Sequence, residues 1–224
     1  MSQRVDKTIM IVGSTGSGKT TSLRNLPLDK TIYINVDNKM LPFRANNLYK
    51  HVKLENTQQL INGMDAAEED DNVEYIVIDT LTFLGDLFYT EQVENASNGM
   101  SAWQNYKAYI NKVIAMAKAS NKHYIFLAHD QSTYDEKEMV TKTFAKIQGS
   151  LKGGGIEANF TFVLYTAVIQ DPTTRLPKYV FQVNKSAKSL DVSAKTPMGL
   201  FAEPYTEDND VVDVFKAIEE FYQA

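Results

Sequence analysis

The 224-residue chain contains no cysteine, which excludes a disulfide scaffold, a thiolate metal site and a cysteine nucleophile. Its three histidines, His51, His123 and His129, are scattered along the sequence, so we expect no zinc site. No uninterrupted apolar run approaches the roughly 20 residues that span a bilayer, and the polar, mixed-charge start of the chain contains no recognisable signal peptide. We therefore expect a soluble cytoplasmic protein without a membrane partner.

The overall composition is that of an ordinary globular protein. Apolar residues make up 43% of the chain and charged residues 23%, which excludes collagen-like, low-complexity and wholly disordered proteins. The length suffices for one large domain or two small ones with a real core. The net charge of −5 is weak evidence against a protein that is cationic overall and binds nucleic acid by bulk attraction.

Short apolar runs alternate along the chain with longer segments of helical periodicity. This order is typical of β-α-β units, and it predicts an α/β fold with a mostly parallel central sheet flanked by helices. The predicted strands lie at residues 8–12, 31–36, 51–54, 75–79 and 124–128. The predicted helices lie at residues 18–26, 56–69, 81–96 and 101–120.

The character of the sequence changes after residue 155. Residues 160–169 and 178–183 favour strands, and the turn through Asp171 and Pro172 predicts an antiparallel C-terminal hairpin at the end of the sheet. The end of the chain places apolar side chains on one stripe of an acidic amphipathic helix. We therefore predict a core of residues 1–208 and a C-terminal helix, residues 209–224, packed on that core.

The sequence contains one motif with a specific chemical function. It matches the phosphate-loop pattern G-x-x-x-x-G-K-[ST] without a mismatch, and its place between a predicted strand and a predicted helix favours nucleotide binding over a glycine-rich turn without a ligand. Its residues are Gly13, Ser14, Thr15, Gly16, Ser17, Gly18, Lys19 and Thr20. The glycines allow backbone N–H groups to surround a β-phosphate. Lys19 would reach the β- and γ-phosphates and the Thr20 hydroxyl would bind Mg²⁺, so we expect ATP and Mg²⁺ as cofactors.

Three polar residues follow predicted strands, at the edge where the ligands of open α/β sheets bind. Asp79 ends the strand at 75–79, and beside a phosphate loop we favour it as a ligand of Mg²⁺ over a role as a helix cap. Asp37 is a candidate to orient the attacking water, with a turn residue as the equal alternative. His129 is a candidate sensor of the γ-phosphate, with an ordinary strand-end polar group as the equal alternative.

The order of these parts resembles the RecA-type recombinase core. Besides the phosphate loop, the resemblance lies in three strand ends: Tyr33-Ile34-Asn35-Val36-Asp37, Ile76-Val77-Ile78-Asp79-Thr80 and Ile125-Phe126-Leu127-Ala128-His129. It spans about residues 7–190 and implies a RecA-like P-loop NTPase fold. It also implies that Lys19 and the polar residues at these strand ends are the catalytic groups of a DNA-stimulated ATPase.

Two loops and a lysine pair extend the resemblance. Residues 90–101 and 130–155 are similar in position to the two DNA loops of the family, of which the second is mobile. Lys185 and Lys188 resemble the strand-end lysines that reach the phosphates bound by a neighbouring subunit. The resemblance thus implies a homo-oligomer, a ring or a filament, with ATP at the subunit interface and single-stranded DNA as a partner.

The chain departs from the full recombinases in two ways. We expect no N-terminal helical segment of the kind through which those proteins polymerise, and Asp37 and His129 stand where the family usually has Glu and Gln. The chain is most similar to the short, core-only bacteriophage proteins that anneal single strands, often described merely as phage nucleotide-binding proteins. The replacement of Glu and Gln by Asp37 and His129 is compatible with slow hydrolysis. The similarity to the phage proteins implies DNA annealing or recombination in the cytoplasm of a bacterial host.

The charge is unevenly distributed along the chain. Residues 140–200 contain eight basic and three acidic side chains, whereas residues 1–139 have a net charge of −4 and residues 201–224 one of −6. Single-stranded DNA binds to cationic grooves that also offer rings or backbone amides, although surface lysines can also be merely solvated. The predicted DNA contacts in the cationic segment are Lys142, Phe144, Lys146, Lys152, Gly153, Gly154 and Gly155.

Two other functions are compatible with the phosphate loop. One is a phosphotransferase acting on a small substrate, although the chain has only four arginines and short kinases often carry an arginine-rich lid. The other is a nucleotide-dependent regulatory switch that binds a protein partner. ATP hydrolysis stimulated by single-stranded DNA would distinguish the leading hypothesis from both.

Overall fold

The computed structural model describes residues 5–153, 155–186 and 191–223, and a mostly parallel β-sheet lies at their centre. The strands are β1 (Thr8–Gly13), β2 (Thr31–Asn35), β3 (Lys50–Lys53), β4 (Tyr75–Asp79), β5 (His123–Asp135), β6 (Val140–Ala145), β7 (Phe162–Gln170) and β8 (Pro177–Gln182). The α-helices are α1 (Thr57–Glu68), α2 (Leu81–Phe88), α3 (Gly99–Ala119) and α4 (Val211–Gln223). Within the described ranges, no helix is both long enough and apolar enough to cross a membrane.

The strand order brings several strand ends to one edge of the sheet. In the order β3-β2-β4-β5-β1-β7-β8, the first six strands are parallel and β8 is antiparallel to β7. His129 of β5 lies opposite Gly13 of β1, and Asp79 of β4 lies opposite Asn35 of β2. The carboxyl ends of β1, β2, β4 and β5 therefore meet, at the edge where open α/β sheets bind ligands. The predicted α/β fold, with its mostly parallel sheet and C-terminal antiparallel hairpin, is confirmed.

Both faces of the sheet are covered, which explains the uninterrupted apolar runs of its strands. Successive side chains of β1 point to opposite faces, and Met10 and Ile11 are both fully buried. Met10 belongs to an apolar cluster with Leu60 of α1 and Ile110 of α3, whereas Ile11 belongs to a second cluster with Phe215 of α4. The structure is thus a helix–sheet–helix sandwich in which α4 supplies part of the second layer.

The structure differs from the sequence prediction in three segments. The predicted helix at residues 18–26 is a 3-10 turn, Thr20–Leu23, and the predicted helix at 81–96 continues after α2 as the π-helical segment Tyr89–Val93. The predicted loop at residues 130–155 contains a hairpin, because β5 runs on to Asp135 and pairs with β6. Most side chains of this hairpin are polar and exposed, so its strands lack the apolar alternation by which strands are recognised.

The helix α4 packs against a buried histidine at the start of β5. His123 stacks on Tyr75 with ring centroids 4.7 Å apart and meets the Phe215 ring edge-on at 4.6 Å. Its Nε2 lies 3.4 Å from a carboxylate oxygen of Glu219. Burial, and after it the charge of Lys7, lower the pKa of His123, while Glu219 opposes the shift.

We expect the lowered pKa of His123 to make the fold sensitive to acid. Protonation of His123 is less favourable in the folded state than in the unfolded state. The neutral ring therefore contributes its full stabilisation above the ordinary histidine pKa of 6.5, and this stabilisation is lost as the pH falls below that value. Between about pH 7.5 and about pH 5.5, the free energy of unfolding in urea should drop by about 1 kcal/mol more in the wild type than in His123→Phe. Equal losses in the two proteins would contradict this account.

Candidate functional site

The carboxyl edge of the sheet forms a cleft of about 900 Å³. Lys19 and Thr20 of the phosphate loop line it, together with Asp79 at the end of β4, Asp37 after β2 and His129 of β5. Residues that lie up to 110 positions apart in the sequence therefore face one space.

Three glycines shape the phosphate loop. Gly16 and Gly18 have φ angles of 79° and 96°, in the left-handed region that favours glycine. At Gly13 a Cβ atom would lie 1.9 Å from Thr166 Oγ1, and at Gly18 it would lie 2.5 Å from Asn209 Nδ2. The loop conformation thus depends on glycine at all three positions.

The other small residues of the loop close its turn and fasten it to β7. Ser17 Oγ donates a hydrogen bond to Ser14 O at 2.6 Å and lies 2.5 Å from Thr166 Oγ1. Thr15 is exposed and lines the cleft. The loop is therefore held from one side by a β7 side chain while its outer turn faces the cleft.

Lys19 is buried within the loop. Its side-chain Nζ donates to Gly13 O at 2.6 Å and to Ser14 O at 2.7 Å, and the residue is only 7% exposed. Burial lowers the pKa of Lys19, and the nearby carboxylates of Asp130 and Asp79 oppose that shift. The loop carbonyls thus orient the ammonium group, and the nearby carboxylates offset part of the electrostatic cost of burying its charge.

Asp79 accepts two hydrogen bonds at the end of β4. Thr20 Oγ1 donates to its Oδ2 atom at 3.0 Å, and the Tyr33 hydroxyl donates to the same atom at 2.5 Å. Burial raises the pKa of Asp79, whereas the two hydrogen bonds favour the ionised form. The helix-capping alternative does not describe Asp79, because Thr80 caps α2 by accepting a hydrogen bond from Phe83 N at 3.3 Å.

Tyr33 is a site residue that the sequence reasoning missed. Its side chain lies on β2, beside β4, and only 4% of the residue is exposed. Burial, and after it the charge of Asp79, raise the pKa of the Tyr33 hydroxyl, so it stays a proton donor to that carboxylate. A polar hydroxyl within the apolar run at 31–36, in a strand next to the one that ends in Asp79, is the signal that could have found it.

Asp37 and His129 are two further polar residues that line the cleft. The Asp37 side chain is 8% exposed and its carboxylate lies 3.0 Å from Lys39 Nζ. His129 is half-buried and meets the Phe83 ring edge-on at 5.6 Å. Burial, followed by the charges of Lys19 and Lys39, lowers the pKa of His129, which favours a neutral imidazole at neutral pH.

The segment before α4 contacts the phosphate loop, a contact that the sequence did not indicate. Asn209 is 3% exposed, and its Nδ2 donates to Gly18 O at 3.1 Å. Arg24, which follows the loop, donates to Asn209 O at 3.1 Å and forms an ion pair with Asp208 at 2.6 Å. The C-terminal segment is therefore part of the wall around the loop, besides providing the apolar stripe of α4.

The lysine pair after β8 does not lie in the cleft as far as the structure describes it. Lys185 is exposed, three residues beyond the end of β8, and does not line the cleft. Lys188 lies outside the described residues. Their action on a neighbouring subunit's nucleotide stays a prediction.

Folding places acidic side chains beside the first part of the cationic segment. Lys142 Nζ lies 2.8 Å from a carboxylate oxygen of Asp135 and 2.8 Å from one of Glu138. Residues 130–146, which form the β5–β6 hairpin and its root, contain four acidic and three basic side chains. The charge of Lys142 is therefore compensated within the hairpin, and Phe144 beside it is half-buried.

The remaining predicted DNA contacts lie beyond the hairpin. Lys146, Lys152 and Gly153 are exposed, whereas Gly155 is half-buried and Gly154 lies outside the described residues. Lys146 N donates to His129 O at 2.7 Å, so Lys146 adjoins the strand end that reaches the cleft. Lys146 and Lys152 are therefore exposed basic side chains that an anionic partner can reach.

The donors in the cleft suit a nucleotide with its magnesium ion. Thr20 and Asp79 offer a hydroxyl and a carboxylate, the oxygen ligands that Mg²⁺ prefers, and they are already within hydrogen-bond distance of each other. Across the described part of the chain there is no cluster of three or more His, Asp or Glu side chains that would form a metal site without phosphate oxygens. Magnesium bound jointly by protein and nucleotide is therefore the form that these residues fit.

Comparison with known proteins agrees with this geometry. A family model described as an AAA domain matches residues 6–197, most of the chain. A search of curated protein sequences found no match to the chain. The matched region contains the phosphate loop and the strand ends carrying Asp37, Asp79 and His129. The chain therefore belongs to the AAA domain family, whose phosphate-loop fold binds nucleotides.

Proposed function

We propose that this protein binds ATP with Mg²⁺ in the cleft and hydrolyses it. The observation that carries the proposal is the convergence of Lys19, Thr20, Asp79, Asp37 and His129 on one space at the sheet edge. A structural turn rich in glycine would need none of the three polar residues, Asp37, Asp79 and His129, that the other strands bring to it. The buried, hydrogen-bonded carboxylate of Asp79 is costly to the fold, and a role in metal binding explains why it is there.

Each residue has a distinct task in the proposed reaction. The loop amides and the Lys19 ammonium bind the phosphate oxygens, and the charge of Lys19 stabilises the negative charge that develops on them. Thr20 and Asp79 would hold Mg²⁺, which supplies charge neutralisation between the β- and γ-phosphates when it is bound. Tyr33 orients the Asp79 carboxylate through its hydroxyl. Asp37 is the carboxylate that accepts a proton from the attacking water, and neutral His129 hydrogen-bonds at the γ-phosphate end.

We further propose that ATP binding is coupled to assembly on single-stranded DNA, with annealing or recombination as the outcome. The resemblance to the RecA-type core and to short phage annealing proteins supports this step. A second support is local: Lys146 is exposed, its backbone bonds to His129 O at 2.7 Å, and its charge contributes to lowering the pKa of His129. A DNA phosphate bound by Lys146 would therefore change the electrostatic environment of His129 in the cleft.

The exposed lysines should contribute more to DNA affinity than the paired one. We expect the double variant Lys146→Ala/Lys152→Ala to bind single-stranded DNA more weakly and to lower the slope of log affinity against log salt by about 0.7 per lysine. Lys142→Ala is the matched control and should change that slope less, because Asp135 and Glu138 already compensate its charge. Fluorescence anisotropy with a labelled oligonucleotide at several salt concentrations measures both quantities. A larger loss in Lys142→Ala would reverse the assignment.

The proposed function as a whole is tested by phosphate release from ATP with and without single-stranded DNA. Magnesium-dependent hydrolysis supports the ATPase, and its stimulation by DNA supports the coupling. Hydrolysis that DNA leaves unchanged would remove the coupling and retain the ATPase. No phosphate release, with or without DNA, would overturn both.

A further inference from the structure

The cleft extends beyond the phosphate loop toward the C-terminal hairpin, where its lining changes character. The residues there include Leu176, Pro177 and Tyr179 of the β7–β8 hairpin, alongside Lys178. Leu176 is 65% exposed and Tyr179 is 43% exposed, large apolar side chains on the rim of an otherwise polar cleft. Apolar and aromatic surface inside a concave site is a feature of ligand pockets rather than of a solvated edge.

Tyr179 lies directly against the last glycine of the phosphate loop. A Cβ atom at Gly18 would be 3.1 Å from Cδ1 of the tyrosine ring. The ring therefore stands next to the backbone that surrounds the phosphates, close enough for one ligand to touch both. On the same glycine, Asn209 Nδ2 donates to Gly18 O at 3.1 Å, so the backbone beside the ring is held in place.

The sheet order determines which end of a nucleotide would reach this ring. Asp79 and His129 belong to β4 and β5, which lie on one side of β1, whereas β7 and β8 lie on the other side. The metal and the γ-phosphate belong with Asp79 and His129, as proposed above. A nucleotide whose phosphates lie along the loop thus directs its base toward β8.

We propose that Tyr179 is the base-stacking residue of the nucleotide site, so that the ligand is a nucleoside triphosphate recognised by its base as well as by its phosphates. The flat face of the ring is the surface that a nucleobase stacks on, and Leu176 extends it with apolar contact. This inference rests on the proposed nucleotide-binding function and assigns the second half of the same cleft.

Binding of ATP and of inorganic tripolyphosphate, both with Mg²⁺, separates a base contact from a phosphate contact. We expect Tyr179→Ala to weaken ATP binding about tenfold, measured by calorimetry, because loss of one stacked aromatic ring is an effect of that size. Tripolyphosphate has no base, so its affinity should change less than about twofold in the same variant. Tyr179→Phe keeps the ring and should bind ATP within about twofold of wild type.

A matched control and two contrary outcomes complete the experiment. Tyr134→Ala makes the same substitution at an exposed tyrosine of the β5–β6 hairpin and should bind both ligands as wild type does. Unchanged ATP affinity in Tyr179→Ala would overturn the assignment, and so would equal losses for ATP and tripolyphosphate, since the ring would then act only on the loop. If instead the proposed nucleotide binding in the cleft is wrong, wild type and Lys19→Ala would bind ATP equally and would bind tripolyphosphate equally.

Discussion

Replacing Lys19 by alanine is expected to abolish nucleotide binding and hydrolysis in this protein. Lys19 is 7% exposed, and its ammonium group is held by Gly13 O and Ser14 O within the loop that would surround the phosphates. Removing a preorganised cation from such a site costs on the order of 10²- to 10³-fold in turnover. Calorimetric titration with MgATP and a phosphate-release assay measure the two losses.

A lysine far from the cleft provides the control for that substitution. Lys216 lies on the exposed side of α4, where its nearest acidic partner is Glu220 at 4.0 Å. Lys216→Ala should bind and hydrolyse ATP as the wild type does. Wild-type turnover in Lys19→Ala would show that the loop is structural and would overturn the assignment of the cleft.

Replacing Asp79 by asparagine should abolish hydrolysis while making the fold more stable. The asparagine oxygen can still accept hydrogen bonds from Tyr33 and Thr20, so the local geometry is kept. The buried charge is lost, and with it the cost that raises the pKa of Asp79. We expect a gain of about 1 kcal/mol in the free energy of unfolding and a loss on the order of 10²-fold or more in magnesium-dependent turnover.

A higher free energy of unfolding together with a lower turnover in Asp79→Asn distinguishes a functional carboxylate from a structural one. If Asp79 stabilised the fold, Asp79→Asn would lower the unfolding free energy and reduce activity only through instability. Asp86→Asn is the matched control, because Asp86 of α2 accepts a hydrogen bond from Gln148 Nε2 and does not line the cleft. Urea unfolding and phosphate release on the same protein samples decide between the two roles.

The parallel strands could be predicted from sequence because each is buried on both faces. β1, β2 and β4 begin and end within about one residue of the predicted runs, since an uninterrupted apolar run ends where the sheet does. β6 was beyond such a prediction. Its partner is the extension of β5, and the mostly polar, exposed side chains of the two paired strands leave no apolar pattern in the sequence.

The phosphate loop could be predicted because its function depends on neighbours in the sequence. Tyr33 and Asn209 could not, because their roles come from strand order and from the packing of the C-terminal segment against Gly18. The charge of a sequence window has the same limitation as a predictor, because folding brings together residues from inside and outside the window. A window of residues 140–200 is cationic in the sequence, but the hairpin folds Asp135 and Glu138 onto Lys142 and leaves the exposed positive charge further along the chain.

The most direct test of the account is an experimental structure with a non-hydrolysable ATP analogue and Mg²⁺. We expect phosphates on the amides of residues 13–20, the metal between Thr20 and Asp79, and the base on the side of β8. An analogue bound elsewhere, or a metal with no contact to Thr20 or Asp79, would contradict it.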